Sequence, residues 1–215
     1  MGKIHQRDTI NYIIKLKNYQ SYLEIGTDTG ATFNAINIQN KECCDPNKRI
    51  NNLTYHMTSD EMFAQMPADK MYDIIFIDGL HHEDQVDKDI VNSLKHLNKG
   101  GVIVFHDCFP KNKRIATKTN TGEWCGDVWK SLVKLPEYIN KENIYLLFFN
   151  EYGLGMIKHV DNSNRLNVID KLLEDSDYDQ WFNDKYDYDN KEHLTELFYK
   201  TINVLFNKEE LNNIL

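Results

Sequence analysis

Two rhythms of apolar residues alternate along the first 160 residues of the chain. Ile10, Ile13, Ile14 and Leu16 recur at helical spacing behind Asp8, which can cap the helix. A compact apolar run, Tyr22 to Ile25, predicts a strand, after which Phe33, Ala35 and Ile36 predict a second helix. Glu42 to Cys44 ends at Asp45-Pro46 and completes a β-α-β unit. Leu53 to Met57 is a modest strand candidate and Asp60 to Met66 a short helix. The nearly continuous Tyr72-Asp-Ile-Ile-Phe-Ile-Asp78 predicts a central strand buried on both faces. Val86, Ile90, Leu94 and Leu97 return to helical spacing until Lys99-Gly100-Gly101 stops them, and Val102 to Phe105 forms another buried strand. Ile144 to Phe149 and Leu154 to Val160, joined by Asn150-Glu151-Tyr152-Gly153, predict an antiparallel hairpin.

Strands and helices in alternation imply an α/β fold: a mostly parallel sheet with right-handed crossovers, helices on both faces, and ligands at the carboxyl ends of the strands. The hairpin adds an antiparallel closing part. Residues 1–160 are expected to form this domain. From Asp161 onward the pattern changes to two helical stripes, Leu166, Ile169, Leu172 and Leu173, then Leu194, Leu197, Phe198, Ile202 and Leu205. Residues 161–215 therefore read as a helical appendage whose apolar stripes need a partner surface, on the same domain or on a second copy in a homodimer. Asp175 to Asn190 is a biased stretch expected to be a loop.

Charge sharpens the division. The formal net charge is −8, and from Asp161 onward thirteen Asp or Glu face six Lys or Arg. Without a basic face, nucleic acid is not an expected partner. No apolar run reaches the length of a membrane span, and Met1 to Asp8 is polar where a signal peptide is apolar, so a cytoplasmic location is expected, or the host cytoplasm for a viral source. Cys43, Cys44, Cys108 and Cys125 form no Cys-x-x-Cys pair and are expected as thiols.

The first chemical signal is Glu24-Ile25-Gly26-Thr27-Asp28-Thr29-Gly30, which follows a strand and opens a helix, with glycines that allow a tight turn and let a ligand lie against backbone. It has neither the glycine spacing of dinucleotide folds nor the Gly-Lys-Ser/Thr of a phosphate loop, and a ligand with a sulfonium and a ribose fits it better. Glu24 would orient the cationic amino-acid end of such a ligand, and Asp45 would accept both ribose hydroxyls.

Tyr22-Leu-Glu-Ile-Gly-Thr-Asp-Thr-Gly30, Tyr72-Asp-Ile-Ile-Phe-Ile-Asp78-Gly-Leu-His81 and Lys99-Gly-Gly-Val-Ile-Val-Phe-His106-Asp107 resemble the motifs of class I S-adenosylmethionine-dependent methyltransferases, in particular methyltransferase family 24. The resemblance covers roughly residues 20–110 and implies a Rossmann-like, mostly parallel seven-stranded sheet with S-adenosyl-L-methionine bound by Glu24, Gly26, Thr27, Gly30, Asp45, Ser59 and Asp78, Ser59-Asp60 lining the adenine. Gly126-Asp-Val-Trp-Lys130 and Gly153-Leu-Gly155 are similar to segments of bacterial and viral members associated with sugar or glycan modification. Related metal-dependent O-methyltransferases place a magnesium-binding acid at the position of Asp78 and an acid-acid or acid-amide pair after the next strand. Here that pair is His106-Asp107, followed by Cys108. Asp78, His106 and Asp107 are thus the candidate metal ligands, in a set whose His, and Cys if it joined, would favour softer metals than magnesium.

His81 is the candidate general base for an acceptor hydroxyl, with Asp78 and His106 beside it. Phe109 to Glu123, with Lys111, Lys113, Arg114 and Lys118, is long enough for a lid whose cations could meet a phosphate, a carboxylate or a nucleotide-linked sugar. Trp124 and Trp129 are candidates either for stacking on a sugar ring or for core packing. The expected activity is an S-adenosylmethionine-dependent O-methyltransferase acting on a small-molecule or sugar hydroxyl. The alternatives are a non-catalytic S-adenosylmethionine-binding subunit and a nicotinamide-dependent oxidoreductase.

Overall fold

The computed structural model describes residues 4–120, 122–158, 198 and 200–215. Helix α1 (Gln6–Lys17) leads into strand β1 (Ser21–Ile25), a single 3-10 turn (Phe33–Ala35) and strand β2 (Asn40–Cys44). There follow α2 (Ser59–Gln65), β3 (Tyr72–Ile77), α3 (Glu83–Lys95), β4 (Leu97–Phe105), α4 (Val128–Lys134), β5 (Ile144–Leu147), β6 (Leu154–Lys158), β7 (Asn203–Leu205) and α5 (Lys208–Ile214). The strands form one sheet in the order β2-β1-β3-β4-β6-β5-β7. β2, β1, β3 and β4 run parallel, β6 is antiparallel to both β4 and β5, and β7 is parallel to β5. The fold is the expected Rossmann-like one, with seven strands and an antiparallel portion.

Alternation along the strands builds two cores. Leu23, Ile25, Ile75, Ile77, Ile103 and Phe105 face α3 and α4, where Val86, Ile90, Leu94, Trp129 and Leu132 pack. Tyr22, Ile74, Phe76, Val102 and Val104 face the other way, toward Ile10, Ile13 and Ile14 of α1 and Leu211 of α5. Every second residue thus changes layer, as the pleat requires, and Glu24 falls into the α1 layer beside Tyr22.

Several elements differ from the pattern. Leu53 to Met57 forms no strand: Tyr55 makes one isolated bridge to Cys44, through Tyr55 N–H to the Cys43 carbonyl and Asp45 N–H to the Tyr55 carbonyl. The seventh strand is instead β7, whose Leu205 was expected on a helix. The open edge of β5 decides its state, because Asn203-Val-Leu205 gains a ladder there that local spacing cannot reveal. The helix expected around Phe33 is one 3-10 turn, Leu97 begins β4 instead of ending α3, and α1 starts just after His5, whose side chain makes no cap, leaving Asp8 in the first turn. The stripe at Leu166, Ile169, Leu172 and Leu173, together with Leu194 and Leu197, lies outside the described residues. α5 packs back on α1, with Lys17 and Lys158 donating to the carbonyls of Leu215 and Ile214. No helix among the described residues is long and apolar enough to cross a membrane.

α4 is fixed to α3 by a buried charge cluster. Lys134 donates to Glu83 at 3.0 Å and also to Asp87, and all three side chains are almost wholly buried. Removing one partner of such a cluster leaves uncompensated buried charge, typically at a cost of about 3–5 kcal/mol. Lys134→Ala is therefore expected to lower the unfolding free energy by about that amount, read as a lower urea midpoint at unchanged slope. A loss within experimental scatter would show that water already solvates the cluster.

Candidate active site

The chain leaves β1 toward β2 on one side and later returns to β3 and β4 on the other, so the crevice between the ends of β1 and β3 is a topological switch point. Gly26, at φ +82°, makes it possible: a Cβ there would overlap the carbonyl of Asp78 and the Cα of Gly79. The Gly26 N–H donates to the Cys44 carbonyl at 2.9 Å and the Asp78 N–H to that of Ile25 at 2.8 Å, tying three strand ends together. A cleft of about 960 Å³ opens above them, large enough for a nucleoside cofactor with an acceptor beside it.

At one end lies Glu24, buried and accepting from the Tyr22 hydroxyl. Burial pushes its carboxyl up to about 8, even against the hydrogen bond from Tyr22. Asp45 holds the β1 loop: its two oxygens accept from the backbone N–H of Asp28 at 2.8 Å and of Asn47 at 2.7 Å, and each oxygen keeps a second lone pair. Thr27 and Ser59 also line the cleft. Gly30 does not: its φ of +76° makes the turn, and a Cβ would press on Asn34 at 2.7 Å and Ile50 at 2.9 Å, so its part is in shaping the loop. α2 is started by a capping box, Thr58 with Glu61, which presents Ser59 and Asp60 to the cleft. Gln85 and Asp89, one turn apart on α3, join them: the Gln85 amide donates to Ser59, Asp60 and Asp89 at 3.1–3.3 Å, and burial pushes Asp89 up to about 7. No motif in the sequence points to this pair, whose i, i+4 spacing on α3 is that of any two neighbours on a helix face.

At the other end two carboxylates and two imidazoles converge. His81 Nε2 is 3.6 Å from Asp78, and its Nδ1 is 3.2 Å from Asp107 and 3.3 Å from the Trp124 carbonyl. His106 Nδ1 lies 3.3 Å from Asp78 and 3.5 Å from Asp107, with Nε2 against the Glu151 carbonyl at 3.1 Å. Burial opposes charge on Asp78, but His106 and His81 outweigh it and hold the carboxyl well below its usual range. Burial likewise disfavours charge on the rings, and the two carboxylates overcome it, raising both imidazoles, His106 strongly. Asp107 sits at φ +61°, so the chain is bent at the residue that completes the cluster.

His81 is held by the segment after the long loop. The Gly126 backbone packs so closely on the His81 carbonyl that a Cβ would overlap it, Asp127 N–H donates to that carbonyl at 3.2 Å, and Asp127 accepts from Glu83 N–H at 2.7 Å. The Trp124 ring stacks on His81 at 4.9 Å, whereas Trp129 is fully buried in the core.

Asp78, His81 and Asp107 each offer a ligand atom within 4.8 Å of the others, so His81 takes the place in the metal-sized group that was expected of His106. Mixed carboxylate and imidazole donors fit a first-row transition ion better than magnesium. Cys108 takes no part: its buried thiol bonds the Phe105 carbonyl and the Gly155 N–H, and burial raises it far above the thiol range.

Residues 23–108 match the family model described as a methyltransferase domain. Among solved structures, the chain is similar to an O-methyltransferase from Bacillus cereus in complex with S-adenosylhomocysteine, at 12% identity and a TM-score of 0.53 over 72% of this chain and 80% of that one. It is also similar to the S-adenosylhomocysteine-bound methyltransferase PaMTH1 from Podospora anserina, at 19% identity and a TM-score of 0.52 over 73% and 78%. The O-methyltransferase TomG from Streptomyces achromogenes, involved in tomaymycin synthesis and solved with S-adenosylmethionine, gives 12% and 0.50 over 73% and 80%. At these identities the likeness is one of fold. No curated protein matches in sequence. A methyltransferase-domain model thus matches residues 23–108, and the fold is one shared with S-adenosylmethionine-dependent methyltransferases.

With its carboxyl pushed up to about 8 by burial, Glu24 must lose a proton to pair with a cationic amino group. S-Adenosylhomocysteine binding below that pH is therefore expected to release a proton and to tighten as pH rises toward 8, by up to about tenfold per unit. Calorimetry in buffers of different ionisation enthalpy counts the proton, and Glu24→Gln should abolish the effect; proton release unchanged in that variant would clear Glu24 of it.

Proposed function

We propose that this chain transfers the methyl group of S-adenosylmethionine to a hydroxyl of a small-molecule or sugar acceptor. The observation that carries the reading is the arrangement along one cleft: a buried acid and a loop-holding aspartate at one end, and the cluster of Asp78, His81, His106 and Asp107 at the other. Glu24 takes the amino-acid end of the cofactor, Asp45 the ribose hydroxyls through its remaining lone pairs, and Ser59 with Gln85 and Asp89 the adenine side. The bound cofactor supplies an electrophilic methyl on a sulfonium.

The residues at the acceptor end position the hydroxyl and take its proton. His81 is the base, aligned by its two carboxylates and by the Gly126–Asp127 clamp, and His106 keeps Asp78 ionised. Alignment of oxygen, methyl and sulfur alone contributes several kcal/mol to such a transfer, so the base has a modest task. Leu80, half exposed, and Trp124 form an apolar wall for an acceptor ring, and Asn120 offers hydrogen bonds beside it. A second reading has Asp78, His81 and Asp107 hold a divalent ion that acidifies the acceptor hydroxyl, favoured by the closeness of their ligand atoms.

Titration with S-adenosylhomocysteine is expected to give roughly micromolar affinity, which Asp45→Ala weakens by about 1–3 kcal/mol. Clear NAD binding with no S-adenosylhomocysteine binding would instead favour an oxidoreductase. His81→Ala should depress turnover in an acceptor screen while leaving cofactor affinity intact. Cofactor binding without turnover on any acceptor would point to a non-catalytic subunit. Because a base must be unprotonated and that of His81 is raised, kcat should climb with pH through a midpoint above the ordinary imidazole value of 6.5. Activity abolished by a chelator and restored by Mn²⁺ would move His81 from base to ligand.

A further inference from the structure

Tyr152 stands at φ +55° with Gly153 at +68° in the turn between β5 and β6. Left-handed backbone is ordinary for glycine or asparagine in such a turn but strained for a bulky side chain, and such strain collects at working positions. Here it carries the ring into the cleft wall, edge-on to His106 at 6.3 Å. Both ends of the long loop meet it there. Glu123 accepts from the Tyr152 hydroxyl, while Lys111 lies 4.2 Å above the ring and 3.2 Å from both that hydroxyl and Glu123. Arg114 lies 3.7 Å from Glu123, and Lys118, also on this loop, is paired with Asp84 at 3.0 Å.

Lys111, Arg114 and Lys118, three of the cations expected to greet an anionic acceptor, are therefore engaged with carboxylates. The cleft itself is lined by seven Asp or Glu and, among the described residues, by no Lys and one Arg, Arg49, which is paired with Asp28. An entering phosphate would meet Asp78 and Asp107 already paired with the imidazoles of His81 and His106, so it would find no unpaired cation there, and an anion left without a partner is disfavoured in a partly buried site.

We propose that Tyr152 and Glu123 form an acceptor gate that admits uncharged or cationic hydroxyl compounds and rejects anionic ones such as sugar phosphates, nucleotide-linked sugars and coenzyme A thioesters. The proposal rests on the methyltransferase reading for the identity of the occupant and names its charge class. Tyr152 sets the gate's position by its strained turn, and Glu123, with Glu151 4.0 Å from Lys111, offsets the charges of Lys111 and Arg114, which would otherwise draw anions to the mouth.

Pyrophosphate serves as the probe, titrated calorimetrically into the full chain saturated with S-adenosylhomocysteine. The wild type is expected to bind it no better than in the millimolar range. Glu123→Gln should tighten binding by about five- to tenfold, and Tyr152→Phe, which keeps the ring and frees one bond of Glu123, by less. Asp84→Asn, which releases Lys118 on the same loop away from the cleft, should leave it unchanged. Micromolar pyrophosphate binding by the wild type would overturn the gate, as would a Glu123→Gln protein that binds S-adenosylhomocysteine normally and gains nothing. If the wild type fails to bind S-adenosylhomocysteine, the methyltransferase reading falls, and the same pyrophosphate series without it still decides whether Glu123 excludes anions.

Discussion

Two backbones touch at the ends of β1 and β3, and almost everything else in the cleft follows from that contact. Gly26 lies where any side chain would overlap the Asp78 carbonyl and the Cα of Gly79. The approach brings the loop after β1 against the segment Asp78 to His81, joining the two ends of the cleft. A larger residue at Gly26 would separate the two ends of the cleft as well as distort a turn. In the proposed transfer, the alignment of cofactor and acceptor would in this sense depend on a missing Cβ.

The supporting contacts extend the same logic outward. Asp45 binds the loop after β1 from the next strand, the capping box at Thr58 fixes Ser59, and Gly126 with Asp127 presses on the carbonyl of His81 from a segment more than forty residues away. Asp127 in turn receives the first N–H of α3, and α3 is locked to α4 through Lys134. The His81 imidazole is therefore held by two helices and a loop, a preorganisation that a lone residue after a strand could not provide.

Much of this was legible in the chain because strong periodicity and position-specific chemistry coincide. Tyr72 to Ile77 could only be a central strand, and Gly26 and Asp45 stood at strand ends where ligands gather. The hairpin turn was legible too, but the strain on Tyr152 was not, since nothing local tells which of Asn150 to Gly153 will take the left-handed positions. Long-range pairing was equally hidden. Leu53 to Met57 has the alternation of a strand and makes only one bridge, whereas Asn203 to Leu205 has a helical stripe's spacing and forms an edge strand. Charge was read correctly as composition and incompletely as geometry: the loop's basic residues were plain, but their carboxylate partners come from Glu123, Asp84 and Glu151, which only the folded loop brings near. His81 and His106 were both found, and which of them groups most closely with the two aspartates depended on ring orientations that no spacing encodes.

The position of β7 has a consequence for the order of assembly. Tyr145 to Leu147 of β5 pair on one side with the neighbouring hairpin strand and on the other with Asn203 to Leu205, synthesised far later. While a nascent chain emerges, the outer edge of β5 is a row of unsatisfied amides and carbonyls, flanked by the exposed Phe148. Any strand that reaches it first can dock, and bringing β7 back across the intervening chain carries an entropic penalty that a neighbouring molecule in a crowded cell need not meet in the same way. The sheet's last strand thus acts as a late seal, and the protein is most exposed to mispairing in the interval before that seal is made.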